Sequence, residues 1–344
     1  MPGFRRVRQE TRLDPSGSSW SYNADNQLLQ YPRTTPFSAA APADTSVSFT
    51  AQGHTAQEKS GAWQRDYRYN AAERLIETSQ NGQTTSYRYD PSGRRISKTT
   101  GSGTGSTTTT YFLYSDTGLL AEADSQGTLI KAYGFNPKAA QQGLWSTDPI
   151  WQANVTGNSL TNGTTSYHYL HTDHLATPIL GTDKTGATTW KGASEAFGAT
   201  RPITQATEMN LRFPGQYWDR ETNSHYNFNR DYLPGVGRYA QGDPIGLKGG
   251  MNLFAYVEAN PLSFVDTVGK KGGVIDKIPK DAPTDFCYNR FPKCSKACII
   301  CCNVAIWTKD WAAQCRVECA FGNPDGDNSD CPAKIACSGG GEFS

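Results

Sequence analysis

A phrase built on alternating tyrosines returns along the first third of the chain, and it constrains the fold more than any other feature. It reads Tyr67-Arg68-Tyr69-Asn70-Ala71-Ala72-Glu73-Arg74-Leu75, then Tyr87-Arg88-Tyr89-Asp90-Pro91-Ser92-Gly93-Arg94-Arg95-Ile96. An earlier copy is Ser21-Tyr22-Asn23-Ala24-Asp25-Asn26-Gln27-Leu28, and a looser one is Phe112-Leu113-Tyr114-Ser115-Asp116-Thr117-Gly118-Leu119. Tyr69 and Tyr89 are 20 residues apart, and Tyr89 and Tyr114 are 25 apart. A recurring step of this size signals a repeat architecture. Tyr-x-Tyr makes a short strand with one aromatic face. Asp or Asn followed by Pro or Ala, Ser and Gly makes a tight turn. Each unit is therefore a β-hairpin that must stack on its neighbours to bury its rings.

Composition agrees. The 344 residues include 17 Tyr and 8 Trp but only 3 Met, a balance that favours strands over helices. The net charge of +1 gives no global electrostatic argument for a nucleic-acid or membrane partner. There is no run of 18 apolar residues and no signal-peptide pattern after the arginine-rich first dozen residues. Export is therefore expected to use a route that needs no such signal, or to act on a longer chain. The Gly-, Ser- and Thr-rich stretch 99–110 reads as a loose hairpin loop, and 31–59 as a low-complexity insertion.

Downstream come Tyr167-His168-Tyr169-Leu170-His171-Thr172-Asp173-His174-Leu175-Ala176-Thr177-Pro178, then Leu211-Arg212-Phe213-Pro214-Gly215-Gln216-Tyr217, then His225-Tyr226-Asn227-Phe228-Asn229-Arg230-Asp231-Tyr232. The ordered set resembles the Tyr-Asp (RHS) repeat family and its repeat-associated core, over residues 60–270. The resemblance implies a mainly β fold. Stacked hairpins would form part of a spiral shell, as in RHS and Tc-toxin C components, followed by a small cysteine-rich tail. The expected division is a weak-repeat region at 1–60, hairpin repeats at 61–140, the core at 141–270 and the tail at 271–344.

Two Asp-x-x-Gly units close the core: Asp243-Pro244-Ile245-Gly246 and Asp266-Thr267-Val268-Gly269. The family resemblance implies an aspartyl autoprotease here, with Asp243 and Asp266 as the pair and a cut between Lys270 and Lys271. Arg238, close by in sequence, is the candidate to orient or tune one of them. Two carboxylates held close cannot both ionise readily, so one serves as acid while the other activates water. This chain has Thr267 and Lys270 where the family phrase usually has Pro and Leu. A plainer reading stays open, in which both aspartates only cap turns. His168, His171 and His174 are three apart and would share a face on a helix, but their Tyr, Leu, Thr and Pro neighbours read as strand and turn. They are expected to pack in a β-core rather than to bind metal.

All nine cysteines fall between Cys287 and Cys337. Cys298 and Cys302, and Cys315 and Cys319, have helical spacing. The pattern predicts two antiparallel helices stapled by two disulfides, and resembles twin Cys-x-x-x-Cys hairpins. Zinc held by Cys294, Cys298, Cys301 and Cys302, or free thiols, are the competing readings. Nine is odd, so at least one thiol is left over. Disulfides would place the tail in an oxidising compartment. Asp325, Asp327 and Asp330 read as a solvated turn, with calcium as the alternative. The tail has no histidine, which excludes Ser-His and Cys-His schemes. No cofactor or resident metal is expected.

Two functions follow. One is a polymorphic-toxin component that presents or encapsulates an effector tail, secreted or at the cell surface, with a carrier or secretion apparatus and a tail-specific immunity protein as partners. The other is a non-enzymatic surface or structural repeat protein whose stapled tail is a binding module.

Overall fold

The computed structural model describes residues 12–13, 19–33, 43–102, 105–141 and 145–270. The tail expectations, including Cys298, Cys302, Cys315, Cys319 and the Lys271 side of the inferred cut, lie outside the described residues.

The tyrosine phrases fold as hairpins. Trp63–Tyr69 pairs antiparallel with Leu75–Gln80, and Gln83–Tyr89 pairs with Arg95–Ser102. Tyr67 and Tyr87 point inward and pack with Leu75. Between each pair of strands sits the same turn. Asn70 Oδ1 accepts the amides of Ala72 and Arg74, both at 3.0 Å, and Asp90 Oδ1 accepts that of Arg94 at 2.9 Å. Three residues after the Asx side chain the backbone enters the left-handed region, at Glu73 (φ 61°) and Gly93 (φ 83°). An Asx side chain that caps its own turn is what makes this reversal cheap.

The same device recurs where the phrase is hard to see. Asp124, Asp173 and Asp183 each accept amides two and four residues on, and Gly127, Ala176 and Gly186 take the positive φ. The repeat therefore runs well beyond its tyrosine-bearing copies.

Each strand from Arg12–Leu13 to Thr200–Gln205 pairs antiparallel with the next in chain order. The result is a 17-stranded sheet, built entirely from neighbours in sequence. The chain is thus mainly β, with the only α-helix among the described residues at Pro137–Gln141. Two local expectations are corrected. Residues 99–102 and 108–110 are strand, not loop, because β-branched threonines fit the pleat; Thr99 and Thr109 hydroxyls meet at 2.9 Å. The stretch 31–59 contains Ala43–Phe49 paired with Thr55–Ser60.

A second, 4-stranded antiparallel sheet follows: Tyr217–Asp219, Ser224–Asn227, Arg230–Leu233 and Arg238–Tyr239. Tyr217 and Tyr226 from this sheet join Phe112, Leu119, Tyr133 and Trp190 of the large sheet in one buried cluster. Fully burying such side chains contributes roughly 1.5–3 kcal/mol each. A second aromatic cluster of Phe213, Tyr232, Tyr239 and Tyr256 backs the end of the chain's described part.

Candidate functional site at the end of the core

Both Asp-x-x-Gly units are turns of the repeat type. Asp243 Oδ1 accepts the Ile245 amide at 3.0 Å, and Gly246 has φ 60°. Asp266 Oδ1 accepts the Lys270 amide at 3.0 Å, and Gly269 has φ 64°. So the turn-capping bonds of the plainer reading are present. The second oxygen of each carboxylate does something the repeat turns do not require. Asp243 Oδ2 lies 2.9 Å from Arg230 Nη2, and Asp266 Oδ2 lies 3.2 Å from the same nitrogen. The two aspartates, 23 positions apart in sequence, share one guanidinium.

The setting is dry. The side chains of Arg230, Asp243 and Asp266 are 2%, 5% and 1% exposed. Tyr239 donates its hydroxyl to Asp266 Oδ2 at 2.8 Å, so three donors converge on Asp266, a set that an acceptor-only carboxylate satisfies. The Arg230 guanidinium also lies over the Tyr239 ring, 3.7 Å from its centre. Its remaining nitrogens donate to the carbonyls of Gly269 (2.7 Å) and Leu253 (3.0 Å). Burial raises the pKa of Asp243, against the opposing pull of the Ile245 amide and of Arg230.

The peptide before the inferred cut is held at both ends. The Gly269 carbonyl accepts from Arg230 and the Lys270 amide donates to Asp266. Gly249 marks what lies opposite. A Cβ there would stand 2.4 Å from Asp243 Oδ2 and 3.0 Å from the Lys270 carbonyl oxygen. Only glycine leaves the Asp243 carboxylate and that carbonyl facing one small gap.

Arg238 is placed elsewhere. Its guanidinium donates to the Asn26 carbonyl and lies 4.9 Å from the Phe254 ring centre. It ties the small sheet to the first hairpin, and Arg230 is the cation between the carboxylates. The reason is strand geometry. Arg230 opens a strand at the Asn227–Arg230 turn, beside the returning 266–270 segment, whereas Arg238 sits eight residues on. The His225 to Tyr232 phrase was the signal that could have flagged Arg230.

The three histidines take separate partners. His168 is buried between Thr189 Oγ1 (3.0 Å) and Asn154 Nδ2 (3.1 Å), and burial lowers its pKa. His171 meets Thr182 Oγ1, and His174 meets the Leu262 carbonyl. No group of three or more metal-ligating residues occurs among the described residues.

Two family models match stretches of the chain upstream of this site. The RHS Repeat family model matches residues 69–104, and the RHS protein model matches residues 168–203. The chain is an RHS repeat protein. Among curated RHS-type relatives, double-stranded DNA deaminase toxin A of Burkholderia cenocepacia is 32% identical over 278 residues, covering 75% of this chain and 18% of the relative. Toxin protein Tse5 of Pseudomonas aeruginosa is 43% identical over 101 residues, covering 29% of this chain and 8% of the relative. The chain therefore spans under a fifth of the length of these RHS relatives. The crystal structure of TcdB2-TccC3-TEV aligns with a TM-score of 0.47 at 14% identity, over 73% of this chain and 15% of that one.

Proposed function

We propose that this chain is the closing part of an RHS-type toxin shell, and that it cuts itself between Lys270 and Lys271 to free residues 271–344 as an effector. One observation carries the reading: two buried carboxylates share the Arg230 guanidinium beside the carbonyl of the bond to be cut. The similarity to toxin relatives supports the shell part of it.

The chemistry follows from the two environments. Asp243, whose acid form burial favours, gives its proton to the Lys270 carbonyl oxygen. Asp266 takes a proton from a water that adds to the carbonyl carbon. A new C–O bond forms and a tetrahedral diol results. Asp243 then recovers its proton from one hydroxyl as the carbonyl reforms. The C–N bond breaks, and the proton on Asp266 passes to the Lys271 amine. Arg230 holds both carboxylates and the Gly269 carbonyl in place throughout. Thr267 and Lys270 do not enter the acid–base steps. The Thr267 carbonyl rests against Gly215, where a Cβ would come within 2.1 Å, so backbone packing sets the strip's path at that position.

The freed tail is proposed to act in an oxidising compartment, with an immunity protein protecting the producer and a carrier or secretion apparatus delivering the shell. Expressing residues 271–344 in bacteria, with and without periplasmic export, tests the effector role. Harmless expression in both compartments counts against it.

Purified wild-type chain is expected to yield two fragments whose intact masses meet at Lys270–Lys271, and Asp266→Asn a single uncut chain. The second reading, a non-enzymatic surface repeat protein, rests on the turn bonds that Asp243 and Asp266 make. It predicts one full-length band from both proteins.

A further inference from the structure

We propose that Arg74 is a positioning residue that ties the self-cleavage centre to the repeat sheet, so that the cut waits for the repeat hairpins to close. The inference rests on the cleavage reading above and adds to it a control from outside the core.

Arg74 is the repeat arginine that closes the Tyr67-to-Leu75 hairpin turn. Its counterpart one repeat later, Arg94, stays at home and pairs with Asp90 at 2.7 Å. Arg74 follows a turn capped by Asn70, a neutral side chain, so no local carboxylate retains it. Its guanidinium instead crosses to the small sheet. It donates to the Phe228 carbonyl at 2.6 Å and to Asn229 Oδ1 at 3.0 Å. It also donates to the Gly93 carbonyl at 2.9 Å, so two consecutive repeat turns are joined at this point. A Cβ on Gly93 would stand 2.2 Å from Arg74 Nη2, so the crossing needs glycine in that second turn.

Asn229 passes the restraint on. With Oδ1 fixed by Arg74, its amide nitrogen Nδ2 must face the other way, and it donates to the Val268 carbonyl at 2.7 Å. The Asn229 backbone amide donates to the same carbonyl at 3.3 Å. Val268 is two residues before the inferred cut. Next to it, Asn227 Nδ2 holds the Asp266 carbonyl at 2.7 Å and Arg230 holds that of Gly269. The strip carrying Asp266 is thus fixed by a turn whose own orientation is set from the repeat sheet. An asparagine bound at one end only can flip its amide, which would offer an oxygen to the Val268 oxygen. Arg74 removes that freedom. A misplacement on the order of 1 Å costs about 100-fold in rate.

The test follows the 74-residue fragment appearing from the full chain after cell-free synthesis, with the cut located by intact mass. Wild type, Arg74→Gln, Asn229→Ala and the double variant are compared, and melting of each is measured in an Asp266→Asn background. Each single variant is expected to slow the cut by about 10- to 100-fold, with the cut site unchanged. The double variant is expected to be no slower than the slower single, because both remove one chain of contacts. Arg74→Lys keeps the charge without the fork, and serves where Arg74→Gln fails to fold; it is expected to be slowed as well. Multiplying losses in the double variant, tracking a fall in melting temperature, overturn the positioning role. So does an unchanged rate in Arg74→Gln or Arg74→Lys when wild type is cut. An uncut wild type removes the cleavage reading and this inference with it.

Discussion

Asp219 accepts both terminal guanidinium nitrogens of Arg95, at 2.5 and 2.9 Å, with each side chain 1% exposed. Arg95 belongs to the large sheet and Asp219 to the small one, so this fork joins the repeats to the core. The rings of Tyr87, Phe112, Tyr217 and Tyr226 surround the guanidinium at 4.2 to 5.6 Å. Burial alone would push Asp219 up, but Arg95 and Lys98 overcome it and hold its pKa below the ordinary 3.8. Its contribution is therefore present above that pH and lost as pH falls through the depressed value. Asp219→Ala leaves Arg95 charged and unpaired, and is expected to destabilise the chain by about 3–5 kcal/mol in urea unfolding. A loss under 1 kcal/mol would contradict this account of the fork.

The two arginines near the core's end separate cleanly. Arg230→Lys replaces a fork that touches Asp243, Asp266 and two carbonyls by a single ammonium. It is expected to slow self-cleavage by about 100-fold. Arg238→Lys loses a bond to the Asn26 carbonyl, away from the carboxylates, and is expected to leave the cut rate within about threefold of wild type. Time courses on gels measure both. Equal effects would remove the assignment of Arg230.

The pH dependence of cleavage is expected to have an alkaline limb. Burial raises the pKa of Asp243, so its acid form persists to higher pH than an exposed aspartate, and is lost as pH rises through the raised value. The cut should then slow on the alkaline side and be abolished by Asp243→Asn. A rate that stays level from weakly acid to alkaline buffer argues against Asp243 as the acid.

Asp231 gives a test of stability that does not depend on cleavage. It is fully buried, and burial pushes its pKa up to about 6, against the Gln241 amide bond at 2.7 Å. A raised carboxyl favours the fold below its unfolded pKa, and that advantage is lost as pH rises through about 6. Asp231→Asn keeps an acceptor for Gln241 without the charge. It is expected to be more stable than the parent at pH above 7, by at most about 3 kcal/mol, and to lose that advantage in acid. Melting curves across pH in the Asp266→Asn background read this out. A constant difference at all pH values would rule out Asp231 as the titrating group.

The tail has its own chemical test. Alkylation of the unreduced chain is expected to leave at least four of the nine cysteines unmodified, with Cys298, Cys302, Cys315 and Cys319 among them in peptide mass mapping. Full modification of those four without reductant, unaffected by a chelator, would remove both disulfides and zinc.

Much of the large sheet was legible because its rule is local. An Asx residue caps a turn, the third residue after it reverses the backbone, and alternating aromatics face inward; each step needs only neighbours in sequence. That is why Asn70 and Asp90 read correctly from the phrase alone. Asp124 and Asp183 obey the same rule without the tyrosines, so the repeat phrase does not mark them. Thr99 and Thr109 lie in a low-complexity stretch that has the composition of a loop, yet cross-strand threonines stabilise a sheet there.

The sequence by itself determined the hairpins, their antiparallel order, the change of character at 270 and the two Asp-x-x-Gly turns. Only the tertiary structure decided what those turns face. Within their own segments Asp243 and Asp266 are indistinguishable from the capping aspartates of any repeat. They become a pair because the Asn227–Arg230 turn carries Arg230 between them, and because Asn70, being neutral, releases Arg74 to steady that turn through Asn229. A guanidinium shared by carboxylates 13 and 36 residues downstream is a fact of how two sheets pack, and no spacing along the chain encodes it.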